Sequence, residues 1–276
     1  MTSSADTGGT GDDTHRRDQH CRDQITRTLE LLWEGARRPA RGPRPTLTLD
    51  RIVEAAVEIA DREGLDAVSM RRVAAELGTG AMSLYRYVPG KSELVELMLD
   101  RVNRVSQDPG DFGDGTWREA LEAMAHAMLA LYHRHPWVLP ASRSRPLLGP
   151  SALDGMEKVL TRIRPMGLSD TELVSAIMTV EGYVVGAART QVYYQEAERV
   201  SGLTTSDFYE AQSPYISKVM ESGRYPVLAS LDPDTWTPSF DHFGFGLQRI
   251  LDGLDALVAQ RAEGQPSTEK RPGTGE

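Results

Sequence analysis

Apolar residues recur at steps of three and four along most of this chain, and that period restricts what it can fold into more than any other feature. Ile52, Val53, Ala56, Ile59 and Ala60 form one stripe. Met70, Val73, Ala74 and Leu77 form a second, and Leu94, Leu97, Met98, Val102 and Val105 a third. Gly64, Gly78 and the Pro89-Gly90 pair fall between the stripes, where helices stop. Further stripes follow at Trp117, Leu121, Met124, Met128 and Leu131, at Leu153, Met156, Val159, Leu160 and Ile163, and at Leu173, Ile177, Val180, Val184 and Ala187. No segment shows the period-two alternation of a half-buried strand, and no internal repeat is present. The pattern predicts an all-α protein.

The ends and breaks suggest the organisation. Residues 1–20 are small and polar and read as disordered. Ile25, Leu29, Leu32 and Trp33 predict a short amphipathic helix over 21–34. RRPARGPRP at 37–45 reads as an extended basic linker. DPGDFGDG at 108–115 is a turn-rich break. The segment 135–150, with four prolines, reads as irregular, and 196–238 as polar with one short helix near 206–221. A final helix is expected from about Pro238 to Ala262, and the rest of the chain reads as a disordered tail. The expected division is 1–44 as an extension with a basic linker, 45–105 and 106–262 as helical domains, and 263–276 as the tail.

The formal net charge of -9 argues against a polycationic nucleic-acid coat, but leaves room for a small DNA-reading patch. Cys21 is the single cysteine, so neither an intramolecular disulfide nor a cysteine-based zinc site can form. The first residues lack an apolar signal core, and no apolar run reaches the roughly 18 residues of a membrane span. A soluble, cytoplasmic protein without membrane attachment is expected.

Residues 69–87 have the mechanics to read DNA. Ser69 caps one helix, Gly78 makes a tight turn, and a second short helix over 79–87 can enter a major groove. Thr79, Gly80, Ala81, Met82, Ser83, Tyr85, Arg86 and Tyr87 are small or hydrogen-bonding, leaving Leu84 for the core. Arg71, Arg72, Arg86 and Lys91 face a single acid, Glu76, between 69 and 91.

The run SMRRVAAELGTGAMSLYRYVPGKSELVELML resembles the DNA-binding signature of the TetR (tetracycline repressor) family over about residues 45–105. Its marks are the alanine-rich helix ending in Leu-Gly, Leu-Tyr-x-Tyr-Val, a two-residue turn and Lys91. FGFGLQRILDGLDALV near the end is similar to the tetracycline-repressor type of C-terminal domain. The resemblance implies a three-helix helix-turn-helix domain followed by a larger ligand-binding and dimerisation domain. It implies a homodimeric repressor that leaves palindromic double-stranded operator DNA when a small molecule binds. It places Ser69 at a cap near phosphate and Arg71 at a base or phosphate. Ala81, Met82 and Ser83 become base-facing, Tyr85 and Tyr87 phosphate-facing, and Lys91 a phosphate ligand. Arg86 departs from the aromatic residue often found there and adds a phosphate or guanine contact. Thr79 opens the recognition segment. Ala81 cannot hydrogen-bond a base edge, so a thymine methyl is its available target. Competing readings make Arg71 and Arg72 solvated surface charges and set Tyr85 against the preceding helix. Arg37, Arg38, Arg41 and Arg44 either reach DNA as an arm or belong to a solvated linker.

Phe240, Phe243, Leu247, Ile250, Leu254 and Leu257 follow steps of three and four, a heptad seam. Together with Gly182 and Gly186 on the long helix, it suggests a four-helix bundle between two copies, with Val180, Val184, Phe243, Leu247, Ile250 and Leu254 at the interface. The alternative is that these faces bury one another within one chain. An apolar effector is expected among Met124, Met128, Tyr132, Trp137, Met178 and Tyr183, with Trp117, Met156 and Tyr194 nearby. Each of these also fits an ordinary core. Tetracycline-binding members hold a magnesium–drug complex with a histidine after the fifth helix and carboxylates from the partner. Here those stretches read WVLPASRSRP and GAARTQ. No metal, no cofactor and no tetracycline response are expected.

His126, His133 and His135 cluster without a nucleophile, carboxylate pair or phosphate loop, so an enzyme is not expected. They read as surface or capping histidines, or as ligand contacts. An activator, or a regulator answering to a protein partner, would share the same DNA-binding sequence.

Overall fold

The computed structural model describes residues 10–35, 47–105, 115–142, 147–232, 235 and 240–264. Every regular element among them is helical, and no strand occurs among the described residues. The helices are α1 (Thr10–Glu34), α2 (Leu49–Glu63), α3 (Met70–Glu76), α4 (Ala81–Leu84), α5 (Lys91–Val105) and α6 (Trp117–Arg134). They continue with α7 (Val138–Ala141), α8 (Pro150–Ile163), α9 (Asp170–Ser201), α10 (Thr205–Glu221), α11 (Pro226–Ala229) and α12 (His242–Gly264). The basic linker, the break after residue 105 and the tail beyond residue 264 lie outside the described residues.

Two compact units emerge, and they interleave along the chain. The first comprises 1–111 and 130–159, and the second 112–129 and 160–276. α6 and α8 contribute residues to both.

In the first unit, Thr48 starts α2 by accepting from the Arg51 N–H at 3.2 Å. α2 then turns Ile52, Ala56 and Ile59 into a face with no exposure. α3 and α5 pack on that face, adding Val73, Leu94 and Met98, also fully buried. Burial of each large aliphatic side chain contributes about 1.5–3 kcal/mol.

α1 is longer than the sequence suggests. It begins at Thr10, not near Cys21, and runs for 25 residues. Its C-terminal half packs on α5, which explains its order. Leu32 is 4% exposed, and Gln24 Nε2 donates to Glu93 Oε1 at 3.0 Å. Trp33 Nε1 donates to the Leu148 carbonyl. The proline-rich stretch 135–150 is likewise not wholly irregular, since α7 makes one turn inside it. His135, read from sequence as a surface residue, is buried there. Its Nδ1 lies 2.7 Å from Asp61 Oδ1, the same oxygen that accepts from Trp137 Nε1 at 2.7 Å.

In the second unit, Ser169 and Glu172 form a capping box that launches α9, a helix of 32 residues. α9 packs on α12, and Arg118 of α6 reaches Gln248, Asp252 and Asp255 along α12. Tyr183 donates to the carbonyls of His242 and Phe243, and its ring stacks on Phe243 at 5.5 Å. This close approach needs Gly246, because a Cβ there would lie 2.2 Å from the Tyr183 hydroxyl.

Candidate nucleic-acid interface

Ser69 has extended backbone, and its Oγ accepts from the Arg72 N–H at 3.1 Å, opening α3 as its sequence suggests. α3 ends in a Schellman motif. Thr79 N–H bonds the Ala74 carbonyl at 2.9 Å, and Gly78 N–H bonds the Ala75 carbonyl at 3.1 Å. The motif needs a left-handed residue, and Gly78 sits at φ +64°. Val73 and Leu84, both fully buried, anchor the two helices of the motif to the core.

The recognition segment is shorter as a helix than expected. α4 covers Ala81–Leu84, and 85–87 form a hydrogen-bonded turn closed by Tyr87 N–H on the Leu84 carbonyl at 2.8 Å. Val88 is buried beneath it, and Pro89-Gly90 prevents continuation. The turn carries its side chains outward: Met82 is 79% exposed and Tyr85 47%. Thr79, Ala81 and Ser83 are half-buried, and Arg71 and Arg86 are exposed. Neither arginine has an ion-pair partner among the described residues.

Three polar side chains beside the turn have partners within the chain. Arg72 is not free for DNA: it bonds Glu76 at 2.6 Å and Glu63 at 2.8 Å, while Arg62 also reaches Glu76. These guanidinium bonds hold Glu63 and Glu76 below the usual carboxylate range and raise Arg72. The network ties the end of α2 to α3. The Tyr87 hydroxyl donates to the Leu47 carbonyl at 3.0 Å, so it braces the approach to α2 instead of pointing freely outward. Lys91 is exposed at the start of α5, with Nζ 3.2 Å from the Leu65 carbonyl.

The six effector candidates are divided between the two units. Tyr132 and Trp137 belong to the first unit, and Met124, Met128, Met178 and Tyr183 to the second. Tyr132, Trp137 and Met124 are core residues, at 7%, 4% and 6% exposure, whereas Met178 is 64% exposed. The interface expectation is corrected for three residues. Val180, Val184 and Leu247 are fully buried within one chain, where α9 meets α12. The seam needs a partner surface, and its own chain supplies one. Phe243, Ile250 and Leu254 are half-buried.

Sequence reasoning also misses a groove beside the recognition turn. It has a volume of about 310 Å³, with Arg27, Glu30 and Glu34 of α1 on one wall and Tyr85, Arg86 and Tyr87 on the other. No local pattern in the sequence places α1 there.

Residues 52–98 match the model of bacterial regulatory proteins of the tetR family. Residues 109–258 match the tetracyclin repressor-like C-terminal domain. The chain is 69% identical over 257 residues to the HTH-type transcriptional repressor DrrR1 of Streptomyces coeruleorubidus, covering 93% of this chain and 95% of that one. An HTH-type transcriptional regulator of Saccharopolyspora erythraea is 31% identical, over 78% of this chain and 87% of its own. The Streptomyces coelicolor TetR family protein ActR, solved in complex with actinorhodin, superposes with a TM-score of 0.64 at 31% identity, covering 78% of this chain and 97% of that chain. Matches on both sides of the turn, and over nearly the full length of a repressor, lead to one conclusion: the chain belongs to the TetR family and is a helix-turn-helix transcriptional repressor, not an enzyme.

Proposed function

We propose that two copies of this chain bind a palindromic operator through their recognition turns, and that an apolar small molecule releases them. DNA reading is assigned to residues 45–105, and ligand binding with dimerisation to 106–262. The observation that carries the reading is the turn itself. A Schellman-closed α3 presents Met82 and Tyr85 to solvent, flanked by the exposed Arg71 and Arg86. Ala81, Met82 and Ser83 then read bases, while Ser69, Thr79, Tyr85, Arg86 and Lys91 engage the backbone. Two such turns must stand about 34–36 Å apart to read successive half-sites, which requires a symmetric partner.

Surfaces left open in one chain support the dimer. Gly182 and Gly186 have open space around them on the outward face of α9, beside Met178 and Tyr193, each 64% exposed. α10 and α11 bury no residue in the single chain, yet carry Phe208, Tyr215 and Val227 at 54%, 73% and 74% exposure. Apolar surface on this scale favours a covering partner. A bundle of α9 and α12 from each copy uses the open glycine face, with Ile250 and Leu254 at its edge.

The effector reading is supported by ActR, which was solved with actinorhodin. Ligand binding in the second unit would act by unequal affinity for the DNA-bound and free states. The protein would work in the cytoplasm, where it meets the operator; no helix among the described residues is long and apolar enough to cross a membrane. The test is selection of duplexes from random-sequence DNA by the purified chain, followed by a compound screen for release. Recovery of a palindrome that one compound class releases supports the proposal. Recovery of no sequence preference refutes it.

A further inference from the structure

We propose that α1 is a second DNA-contacting element, in which Arg27 holds a backbone phosphate of the operator across the groove from Arg86. The inference rests on the DNA-binding reading above and extends it to a helix that lies outside the matched residues 52–98.

The direction of α1 puts it beside the duplex. Gln24 bonds Glu93, near the start of α5. Leu32, further along α1, borders the same cavity as Leu99 and Asp100, further along α5. The two helices therefore run the same way. At 1.5 Å per residue, the stretch from Thr10 to Gln24 carries α1 about 21 Å past its contact with Glu93. α5 itself begins at Lys91, only two residues before Glu93. That end of α5 is the end turned to phosphate, so a duplex seated on the recognition turn has α1 along its flank.

The groove between them suits a phosphate strand. Arg27 is exposed and, like Arg86, has no ion-pair partner among the described residues. Tyr85 and Tyr87 line the same groove, which makes it continuous with the recognition surface. Glu30 and Glu34 also line it and oppose an anion, so neutralising either must strengthen DNA binding. A helix that only props up the fold gives no such opposite signs.

The test uses the full-length chain and a duplex that this chain selects from random-sequence DNA. Binding is followed by fluorescence anisotropy between about 50 and 200 mM salt. Arg27→Ala removes one phosphate contact per copy and makes the slope of log K against log salt shallower by about 1.8 for the dimer. If the two variants converge at 1 M salt, affinity falls about 60-fold at 0.1 M. The loss is the same for weak and strong duplexes, because the contact reads no base. Glu30→Gln raises the affinity. Arg199→Ala, at the far end of α9, changes neither quantity. Selection of no duplex by the wild-type chain overturns the DNA-binding reading, and this proposal with it. Selection of a duplex with affinity and slope unchanged by Arg27→Ala overturns the α1 contact alone.

Discussion

Gly78 and Gly80 provide a matched test of why the helix-turn-helix has its sequence. Both sit in the same turn, and a Cβ added to either meets no atom within 4 Å. They differ in backbone. Gly78 is left-handed at φ +64°, whereas Gly80 is extended at φ -82° and ψ 145°. Alanine at either site restricts the unfolded chain, which stabilises by about 0.4–1 kcal/mol. At Gly78 alone it also pays for a left-handed Cβ, about 1–2 kcal/mol. Gly80→Ala should therefore be neutral or stabilising, and Gly78→Ala destabilising by roughly 1 kcal/mol. The unfolded-state contribution cancels between the variants, so their difference isolates the backbone conformation at about 1–2 kcal/mol. Urea denaturation at one fixed protein concentration, monitored by circular dichroism, measures it. Equal stabilities for the two variants would refute the argument that conformation, not space, demands the glycine.

Gly246→Ala should destabilise by about 1–3 kcal/mol, since the new Cβ overlaps the Tyr183 ring, and the loss should shrink in a Tyr183→Ala background; denaturation of the four species closes the cycle. Asp61→Ala removes the acceptor of the buried Trp137 indole and the partner of His135, at a cost of about 1–3 kcal/mol, whereas Asp61→Asn keeps an acceptor and should cost less. Glu172 is held at about 2 by Ser169 and Arg261, so its folded value lies below its ordinary 4.5. Its stabilisation is complete above 4.5 and is lost as pH falls from there through about 2. The melting temperatures of wild type and Glu172→Gln should differ at neutral pH and converge towards pH 2; a constant gap would contradict the assignment. Tetracycline with magnesium should leave operator binding unchanged in an anisotropy titration, because WVLPASRSRP lacks a histidine and GAARTQ lacks a carboxylate. Release by the drug would overturn that reading.

The sequence shows the helices of the first unit clearly because stripe and stop agree at each. Thr48, Ser69, Gly64 and Gly78 all cap where the apolar period begins or ends. It shows less where one residue can serve two partners. The α12 seam demands a facing surface without naming it, so Val180, Val184 and Leu247 fit an intersubunit bundle as well as the α9–α12 contact that buries them. Tyr87 matches a phosphate-facing position, yet its hydroxyl reaches a carbonyl forty residues away. Asp61 gives no local hint of His135 and Trp137, because the contact spans more than seventy residues. α1 is obscured differently. Its first turns are polar and rich in Asp, Arg and Thr, and the packing that orders the helix comes from its other half.

Stoichiometry on DNA tests the paired recognition turns most directly. Sedimentation of the chain with a selected palindromic duplex, beside a duplex carrying one half-site, counts copies and measures affinity together. Two copies per palindrome, with a steep loss of affinity on the half-site, is the expected result. One copy per duplex, with equal affinity for both, would contradict it.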